Sequence, residues 1–335
     1  MNKKIQLIRA CCIICVILGH TVNGIQAVIT RPVINFCVAM FIFLSGYLTK
    51  MEIPNLKDFY FKRISKVAIP YVIWTVIYSL LFWGGFKKLV VDLLCARAGI
   101  QFYYIFVYIQ LVLLTPLVIK LLKSKYNWIG WFITPVFIIV ASYICYFNGI
   151  NIRTFKKTIF LSWFIYYYLG MPIKNKIINY HISEKKTMIL YIISLLCCLS
   201  EAFAWYYLDN NLDMATTQLK LSSIPVAISA EFLGYIFITS DKITINDTKL
   251  TRFLIMIGDS AFGIYFSHYA IIRLLNMIPG YSSLMFFPLN SIITFIICLI
   301  LILICRKFLS PKSLGYLAFG TPNKKTESQI KKSCN

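Results

Sequence analysis

Arg9 and His20 are the two residues of this sequence whose types and spacing best suit chemistry. Ten residues separate them on one apolar segment. Eleven helical steps turn the chain by about 1100° and advance it by roughly 16 Å, so both side chains share one helix face. Histidine exchanges a proton near neutral pH, and a guanidinium group binds phosphate. Because ionisable side chains are costly inside a membrane, such a pair usually marks a pathway or a site.

The composition predicts that this helix lies in lipid. Hydrophobic residues make up 59% of the 335 residues and charged residues only 14%, and the mean hydropathy is +0.74. A soluble core of this length cannot bury so much apolar surface. We therefore expect an all-α polytopic membrane protein with the lipid bilayer as its solvent.

Apolar runs near the length of a bilayer crossing define the expected helices. Ten candidates lie at about residues 5 to 26, 33 to 49, 67 to 84, 102 to 122, 128 to 147, 158 to 173, 187 to 207, 219 to 239, 253 to 275 and 284 to 308. The sixth run is short and could be tilted, broken or re-entrant. Ten crossings are predicted, with nine or eleven left open.

The basic residues predict the orientation, because Lys and Arg accumulate on the cytoplasmic side of a membrane protein. The net charge is +22. With both termini in the cytoplasm, most of the basic residues face inward, at positions 3 to 4, 50 to 66, 120 to 125, 174 to 186, 242 to 252 and from 306 onward. This distribution explains the charge without nucleic-acid binding. We expect one transmembrane domain over residues 1–310 and a short basic cytoplasmic tail over residues 311–335, in the cell (cytoplasmic) membrane.

Further patterns accompany the Arg9 and His20 pair. They are Phe41-Ile42-Phe43-Leu44-Ser45-Gly46-Tyr47, the basic segment Phe59 to Lys66, Gln101-Phe102-Tyr103-Tyr104 and Ser260-Ala261-Phe262-Gly263-Ile264-Tyr265-Phe266-Ser267-His268. In this order and spacing they resemble the acyltransferase-3 family of integral membrane acyltransferases, whose members often O-acetylate cell-surface sugars. The resemblance runs from Ile8 to about Arg306. Two positions depart from it: Tyr103 stands where tryptophan is usual, and Lys66 stands where arginine is usual.

The resemblance implies an O-acyltransferase, most simply an O-acetyltransferase. It would move an acyl group from acetyl-CoA, as co-substrate, to a hydroxyl of an envelope polysaccharide or a lipid-linked glycan. Acyl transfer needs a base for the hydroxyl proton and donors for the developing oxyanion. His20 is the expected base. The phosphates of coenzyme A, entering from the cytoplasm, are expected near Arg9, Arg63 and Lys66.

Two other functions stay open on the sequence. One is export or flipping of a surface glycan, since a polar path between helices would also use Arg9, His20 and Glu231. The other is a non-catalytic partner in an envelope complex. Cleavage of a thioester that depends on His20 separates the enzyme from both.

Each remaining candidate has a structural alternative. Glu231 is the deepest acid of the apolar runs, expected to orient a histidine or receive a proton, or else to form an interhelical salt bridge. Ser45 and Gly46 line a substrate site or let helices pack closely. Tyr265 and His268 line the site or hold a helix contact. The third histidine, His181, lies in a basic loop and is expected to be exposed. The eleven cysteines lack metal-ligand spacing, so no metal is expected.

Overall fold

The computed structural model describes residues 2–82, 84–175, 183–281, 286–310 and 313–319. Within these ranges every regular element is a helix and no β-strand occurs. The predicted all-α fold is therefore confirmed. The physical reason is that a helix pairs its backbone N–H and C=O groups internally, which lipid cannot do for it.

The helices follow one another with short connections. In chain order they are α1 (Lys3–Thr21), α2 (Gly24–Ile34), α3 (Phe36–Tyr47), α4 (Leu56–Leu81), α5 (Phe86–Cys95), α6 (Tyr103–Lys123), α7 (Ile129–Ile138), α8 (Cys145–Phe147), α9 (Arg153–Thr158), α10 (Phe164–Lys174), α11 (Glu184–Tyr207), α12 (Leu212–Thr216), α13 (Ser223–Thr239), α14 (Lys249–Asn276), α15 (Leu289–Phe308) and α16 (Leu314–Ala318). A π-helical stretch, Ile139–Ile144, joins α7 to α8.

Eight helical segments of the described chain are long and apolar enough to cross a membrane. They are Lys3–Thr21, Gly24–Tyr47, Leu56–Leu81, Tyr103–Lys123, Ile129–Phe147, Glu184–Tyr207, Lys249–Asn276 and Leu289–Phe308. The two other predicted runs form shorter helices, α10 and α13. The predicted short sixth run thus corresponds to an 11-residue helix.

The second apolar segment starts earlier than the sequence pattern predicts. The first helix ends at Thr21 and the next begins at Gly24, about nine residues before the expected start. Gly24 has a φ of +56°, a conformation that glycine adopts at little cost, and α2 begins at this residue. The apolar residues after it then continue as helix into α3.

The described residues form two compact units. The first comprises the described parts of Met1–Thr21, Ser65–Phe102 and Ser240–Asn335. Its centre is the packing of α1 on α14. Gln6 donates to the Asp259 carboxylate near the start of the contact, and His20 meets His268 further along both helices. The two helices therefore run parallel.

Parallel α1 and α14 restrict the number of crossings, because an odd number of crossings must separate two spanning helices that run in the same direction. The five long apolar segments between them already supply an odd number. The predicted total of ten thus requires both shorter helices, α10 and α13, to cross. Nine crossings would place α14 antiparallel to α1.

The second unit comprises Val22–Ile64 and Tyr103–Thr239, in their described parts. Its core joins α3, α6, α10 and α13, with Trp163, Tyr167 and Tyr168 among its largest buried side chains. Helices α3 and α10 approach closely because Gly46 and Gly170 face each other's backbone. A Cβ on Gly46 would overlap the Tyr167 carbonyl oxygen, and one on Gly170 would overlap that of Phe43.

Part of the expected tail is folded within the first unit. Helix α16 lies beside α4, where the Trp74 indole Nε1 donates to the Ala318 carbonyl at 2.8 Å. The Phe319 ring meets the Trp74 ring edge-on at 5.5 Å between centroids. Residues 311–312 and 320–335 of the expected tail lie outside the described residues. The division at residue 310 and the cytoplasmic position of the termini stay predictions.

Candidate active site

A glycine sets the distance between the two helices that carry the histidines. Gly258 of α14 faces the backbone of α1, and a Cβ at this position would overlap the Gln6 carbonyl oxygen. Close approach of small residues is a common way for helices to pack in lipid. It brings the later parts of α1 and α14 into side-chain contact.

His20 and His268 form a ring pair in this contact. Their centroids lie 5.1 Å apart with an interplanar angle of 45°, and the Tyr269 ring lies 6.0 Å from His20. His268 is fully buried and His20 is partly buried. The predicted base therefore lies beside a second imidazole.

The hydrogen bond of His268 fixes its neutral tautomer. Its Nδ1 lies 3.0 Å from the Ile264 carbonyl oxygen, and a carbonyl only accepts, so Nδ1 carries the proton. Nε2 is then a proton acceptor. Among the described residues nothing hydrogen-bonds this buried Nε2, which leaves a lone pair within the histidine pair.

Tyr265 lies one turn before His268 on α14 and contacts the surroundings of the histidine pair. Its hydroxyl donates to the Gln101 carbonyl at 2.5 Å, and its ring centroid lies 6.2 Å from that of His268. The Gln101 amide in turn donates to the Tyr78 hydroxyl at 2.9 Å. Tyr265 thus ties the histidine-bearing helix to the end of α4.

Arg9 belongs to a polar network at the opposite end of α1. Its guanidinium Nη1 lies 3.3 Å from Gln6 Oε1, and the Gln6 amide donates to the Asp259 carboxylate. Arg306 joins from α15, with Nη1 3.0 Å from Ser260 Oγ and Nη2 3.1 Å from the Asp259 carbonyl oxygen. Two guanidinium groups therefore share the surroundings of one carboxylate.

Arg306 is a candidate site residue that the sequence did not single out. It lies near the end of the last apolar run, where the sequence pattern marks it only as one of the cytoplasmic basic residues. Its Nε is buried and has no hydrogen-bond partner among the described residues. Lys66, by contrast, is exposed on α4. Both residues belong to the first unit, as do Arg9, His20, Tyr265 and His268.

In the second unit, Arg63 holds the end of α3. Its Nη1 lies 3.3 Å from the Ser45 carbonyl oxygen and 3.4 Å from Ser45 Oγ. Its Nη2 donates to the Leu48 carbonyl at 3.0 Å. A guanidinium satisfies carbonyls that a helix end leaves unpaired. Arg63 and Ser45 therefore form one structural contact, and Gly46 provides the close packing of α3 on α10 described above.

Glu231 is fully buried on α13. Neither carboxylate oxygen has a hydrogen-bond partner among the described residues, and the expected salt bridge is not found there. Tyr166 of α10 lies close enough to interact with it electrostatically. Glu231 belongs to the second unit, whereas His20 and His268 belong to the first. Orientation of a histidine by Glu231 stays a prediction.

Tyr103 lies against a narrow cavity of the second unit. Its hydroxyl accepts a hydrogen bond of 2.7 Å from the Gln218 amide, and its ring stacks on Trp163 at 5.7 Å. Gln218 and Trp163 both line the cavity, with Asn35, Phe36 and Tyr166 from neighbouring helices. The aromatic position that departs from the resemblance thus contacts two of the residues that line the cavity.

Among the described residues, no three His, Cys, Asp or Glu side chains lie together as a metal ion would need. His181 lies outside the described residues.

Comparison with known proteins gives one match. A family model described as an acyltransferase domain matches residues 2–305. No curated protein and no solved structure matches the chain. The matched range includes both histidines of the ring pair and every candidate site residue named above except Arg306, which lies one residue beyond it.

Proposed function

The chain belongs to the acyltransferase-3 family whose model it matches, and on that premise we propose that this multi-pass membrane acyltransferase O-acetylates an envelope glycan. The acyl donor in this proposal is acetyl-CoA, and the acceptor is a hydroxyl of a cell-envelope polysaccharide or of a lipid-linked sugar. The enzyme would act in the cell membrane. The observation that carries the proposal is the ring contact between half-buried His20 and buried His268.

The pair supplies what acyl transfer to a hydroxyl needs. His20 takes the acceptor's hydroxyl proton while the oxygen attacks the thioester carbonyl carbon. A C–O bond forms, the C–S bond breaks, and the proton passes to the departing thiolate. A positioned base of this kind contributes about 10² to 10⁴ in rate. The Nε2 lone pair of His268 suits it to orient His20 or to share its proton.

The phosphates of the donor are proposed to bind at the other end of α1. Arg306 donates to the Asp259 backbone carbonyl, and Arg9 reaches the Asp259 carboxylate through Gln6. The buried Arg306 Nε has no hydrogen-bond partner among the described residues. Planar guanidinium groups suit phosphate oxygens. Roughly 16 Å along α1 separates Arg9 from His20, which matches the length of an extended pantetheine arm. Lys66 is proposed as an exposed further contact.

The second unit carries the remaining candidates. Arg63 is proposed to contribute to donor binding from its position at the end of α3, with Ser45 and Gly46 shaping that end. Glu231 is proposed as a buried group that receives a proton, since its carboxylate has no partner among the described residues. Tyr103, Tyr265 and His268 are proposed to shape the substrate site.

The test uses the purified full chain in lipid nanodiscs. Acetyl-CoA labelled in the acetyl group is supplied, and free coenzyme A is measured by chromatography. Thioester cleavage that His20→Ala removes, and Lys87→Ala leaves intact, supports the proposal. Lys87 is exposed and lies far along the chain from the histidines. Glycan transport without His20-dependent cleavage would instead indicate an exporter or flippase.

The same labelled donor separates two chemical routes. If His20 is a base only, no labelled protein forms. If it carries the acyl group itself, a labelled acyl-protein is trapped in the absence of acceptor, and its label maps to His20. Either result keeps the acyltransferase assignment.

A further inference from the structure

Cations outnumber carboxylates around α9 in the second unit. Lys157 lies within electrostatic range of Arg31, Arg153 and Lys156, and of one carboxylate, Asp213. That carboxylate is already engaged, since the Arg153 guanidinium forms a two-point ion pair with it at 2.5 and 2.6 Å. The positive charges of Arg31, Lys156 and Lys157 therefore have no matching anion among the described residues of this unit.

These three side chains are not ordinary exposed charges. Lys156 is only 9% exposed, and its ammonium group lies 3.4 Å from the Ser142 hydroxyl. Arg31 donates to Thr216 Oγ1 at 3.1 Å, and its buried Nε has no partner among the described residues. Burying a charge costs free energy unless an opposite charge compensates it. The arrangement is one that a bound anion would stabilise.

The position of these cations in the membrane topology also needs a reason. They lie in α9 and at the start of the second apolar segment, on the side that the basic residues elsewhere predict to be external. Lys and Arg are disfavoured on that side near the ends of membrane helices. An orientation signal therefore does not explain them.

The cations adjoin the narrow cavity beside Tyr103. Arg31 immediately precedes Pro32, a lining residue, and the Lys157 carbonyl accepts a hydrogen bond of 3.0 Å from the Trp163 indole. The lining contains amides of Asn35 and Gln218. Indole and phenol rings give flat apolar surfaces with a polar edge, and amides both donate and accept hydrogen bonds. These are the groups that contact the faces and hydroxyls of a sugar.

We propose that Arg31, Lys156 and Lys157 bind a phosphate or carboxylate of the acceptor, which is therefore an anionic sugar. The proposal rests on the proposed function in one respect, namely that the bound sugar is the acyl acceptor. Lys156 and Lys157 supply point charges, and the Arg31 guanidinium adds a directed N–H donor. The cavity beside Trp163 and Gln218 has room for about one water molecule, so the sugar ring would lie toward these two residues only after the lining side chains move apart.

The alternative source of the same anionic group is a lipid headgroup. The low exposure of Lys156 and of Arg31 Nε favours a ligand that enters the unit over a headgroup at its edge. The amides and rings beside the cations favour a sugar for the same reason.

The test measures binding directly, without catalysis. The full chain in phosphatidylcholine nanodiscs is titrated with glucose 1-phosphate, glucuronic acid and neutral glucose, and binding is followed by thermophoresis. We expect an anionic sugar to bind at least tenfold more tightly than glucose. Lys157→Gln and Arg31→Gln should each weaken that binding about tenfold, Lys157→Arg should retain it, and Lys87→Gln, an exposed lysine, should match the wild type.

Three results would overturn the proposal. The first is equal affinity for glucose and both anionic sugars, and the second is unchanged affinity in Lys157→Gln. The third is stabilisation by phosphatidylglycerol nanodiscs that Lys157→Gln removes while neither anionic sugar binds, which assigns the site to a lipid headgroup. Failure of His20-dependent thioester cleavage would instead remove the acyltransferase proposal and leave a demonstrated anionic-sugar site standing. If Arg31→Gln fails to fold, the Lys157 variants decide the result.

Discussion

The imidazole rings of His20 and His268 lie 5.1 Å apart between centroids, although one is on α1 and the other on α14. His268 donates from Nδ1 to the backbone of its own helix, so its tautomer is fixed by local structure. The pair thus combines a base that the sequence pattern indicates with a second imidazole that only the packing of α14 supplies.

His20→Ala should lower the rate of acyl transfer by about 10² to 10⁴, since it removes the base, while the apolar surface that holds the chain in lipid is unchanged. Transfer of labelled acetyl groups and membrane content are measured together. A twofold loss would not support the assignment, and near-normal turnover would contradict it.

His268→Gln, which keeps a donor but loses the Nε2 lone pair, should lower kcat more than it changes the donor KM.

Gly258→Ala should push α1 away from α14, because the new Cβ overlaps the Gln6 carbonyl oxygen. Overpacking of this kind costs about 1–3 kcal/mol. We expect a lower melting temperature and a loss of thioester cleavage. Gly263→Ala on the same helix is the matched control, because its Cβ would lie 3.0 Å from Ile302 Cδ1 and 3.1 Å from the Phe319 carbonyl oxygen. Relief of these contacts needs a much smaller shift than at Gly258. Equal stability and activity in both variants would refute the close-approach argument.

Arg9→Ala should raise the KM for acetyl-CoA more than the KM for the acceptor, and high donor concentration should partly restore the rate. Arg306→Ala should act in the same direction, since Arg306 shares the Asp259 surroundings. Arg63→Ala should also raise the donor KM, with an added loss of thermal stability because the Ser45 and Leu48 carbonyls each lose a donor. Lys66→Arg should be tolerated. An Arg9→Ala variant that weakens only the acceptor would exclude the proposed donor path.

Reporters should place Ser124 and Ser183 in the cytoplasm and Asn210 outside. Basic residues flank the first two positions, whereas the stretch around Asn210 is acidic and free of lysine. A cysteine-accessibility or fusion-reporter assay in intact cells measures this. Reversed signals would exclude entry of coenzyme A from the side of Arg9. They would also place the cations of α9 on the cytoplasmic side of the membrane.

Anionic-sugar binding should weaken as the pH rises through about 8. Burial, followed by the positive charge of Arg153, lowers the pKa of Lys157 to about 8, and Asp213 partly opposes the shift. Arg31 and Lys156 also face this lysine. Because the lysine is charged below its pKa and neutral above it, the site loses one positive charge at high pH. Titrations with glucose 1-phosphate between pH 7 and 9 measure the change.

Lys157→Arg is the control for this titration, because a guanidinium stays charged throughout the range. Its affinity should be nearly constant with pH. A wild-type affinity that is also constant, or that rises with pH, would contradict the role of Lys157.

The sequence by itself determined the class of the protein and one half of the candidate site. Apolar runs of membrane length predict helices because lipid offers no partner for a free backbone group, and the described chain is helical. The spacing of Arg9 and His20 predicts one helix face because an α-helix repeats every 3.6 residues. The family follows from motifs that are local in the chain.

Only the tertiary structure decided which faces meet. Helical periodicity shows that a residue points to one side, but not which helix packs there, so the pairing of His20 with His268 and the place of Arg306 beside Asp259 were not predictable. Gly258 had no local signal, since its role depends on the backbone of α1. The expectation that Glu231 orients a histidine had the same weakness: burial of an acid is visible in a sequence, whereas its neighbour is chosen by the packing of helices far apart in the chain.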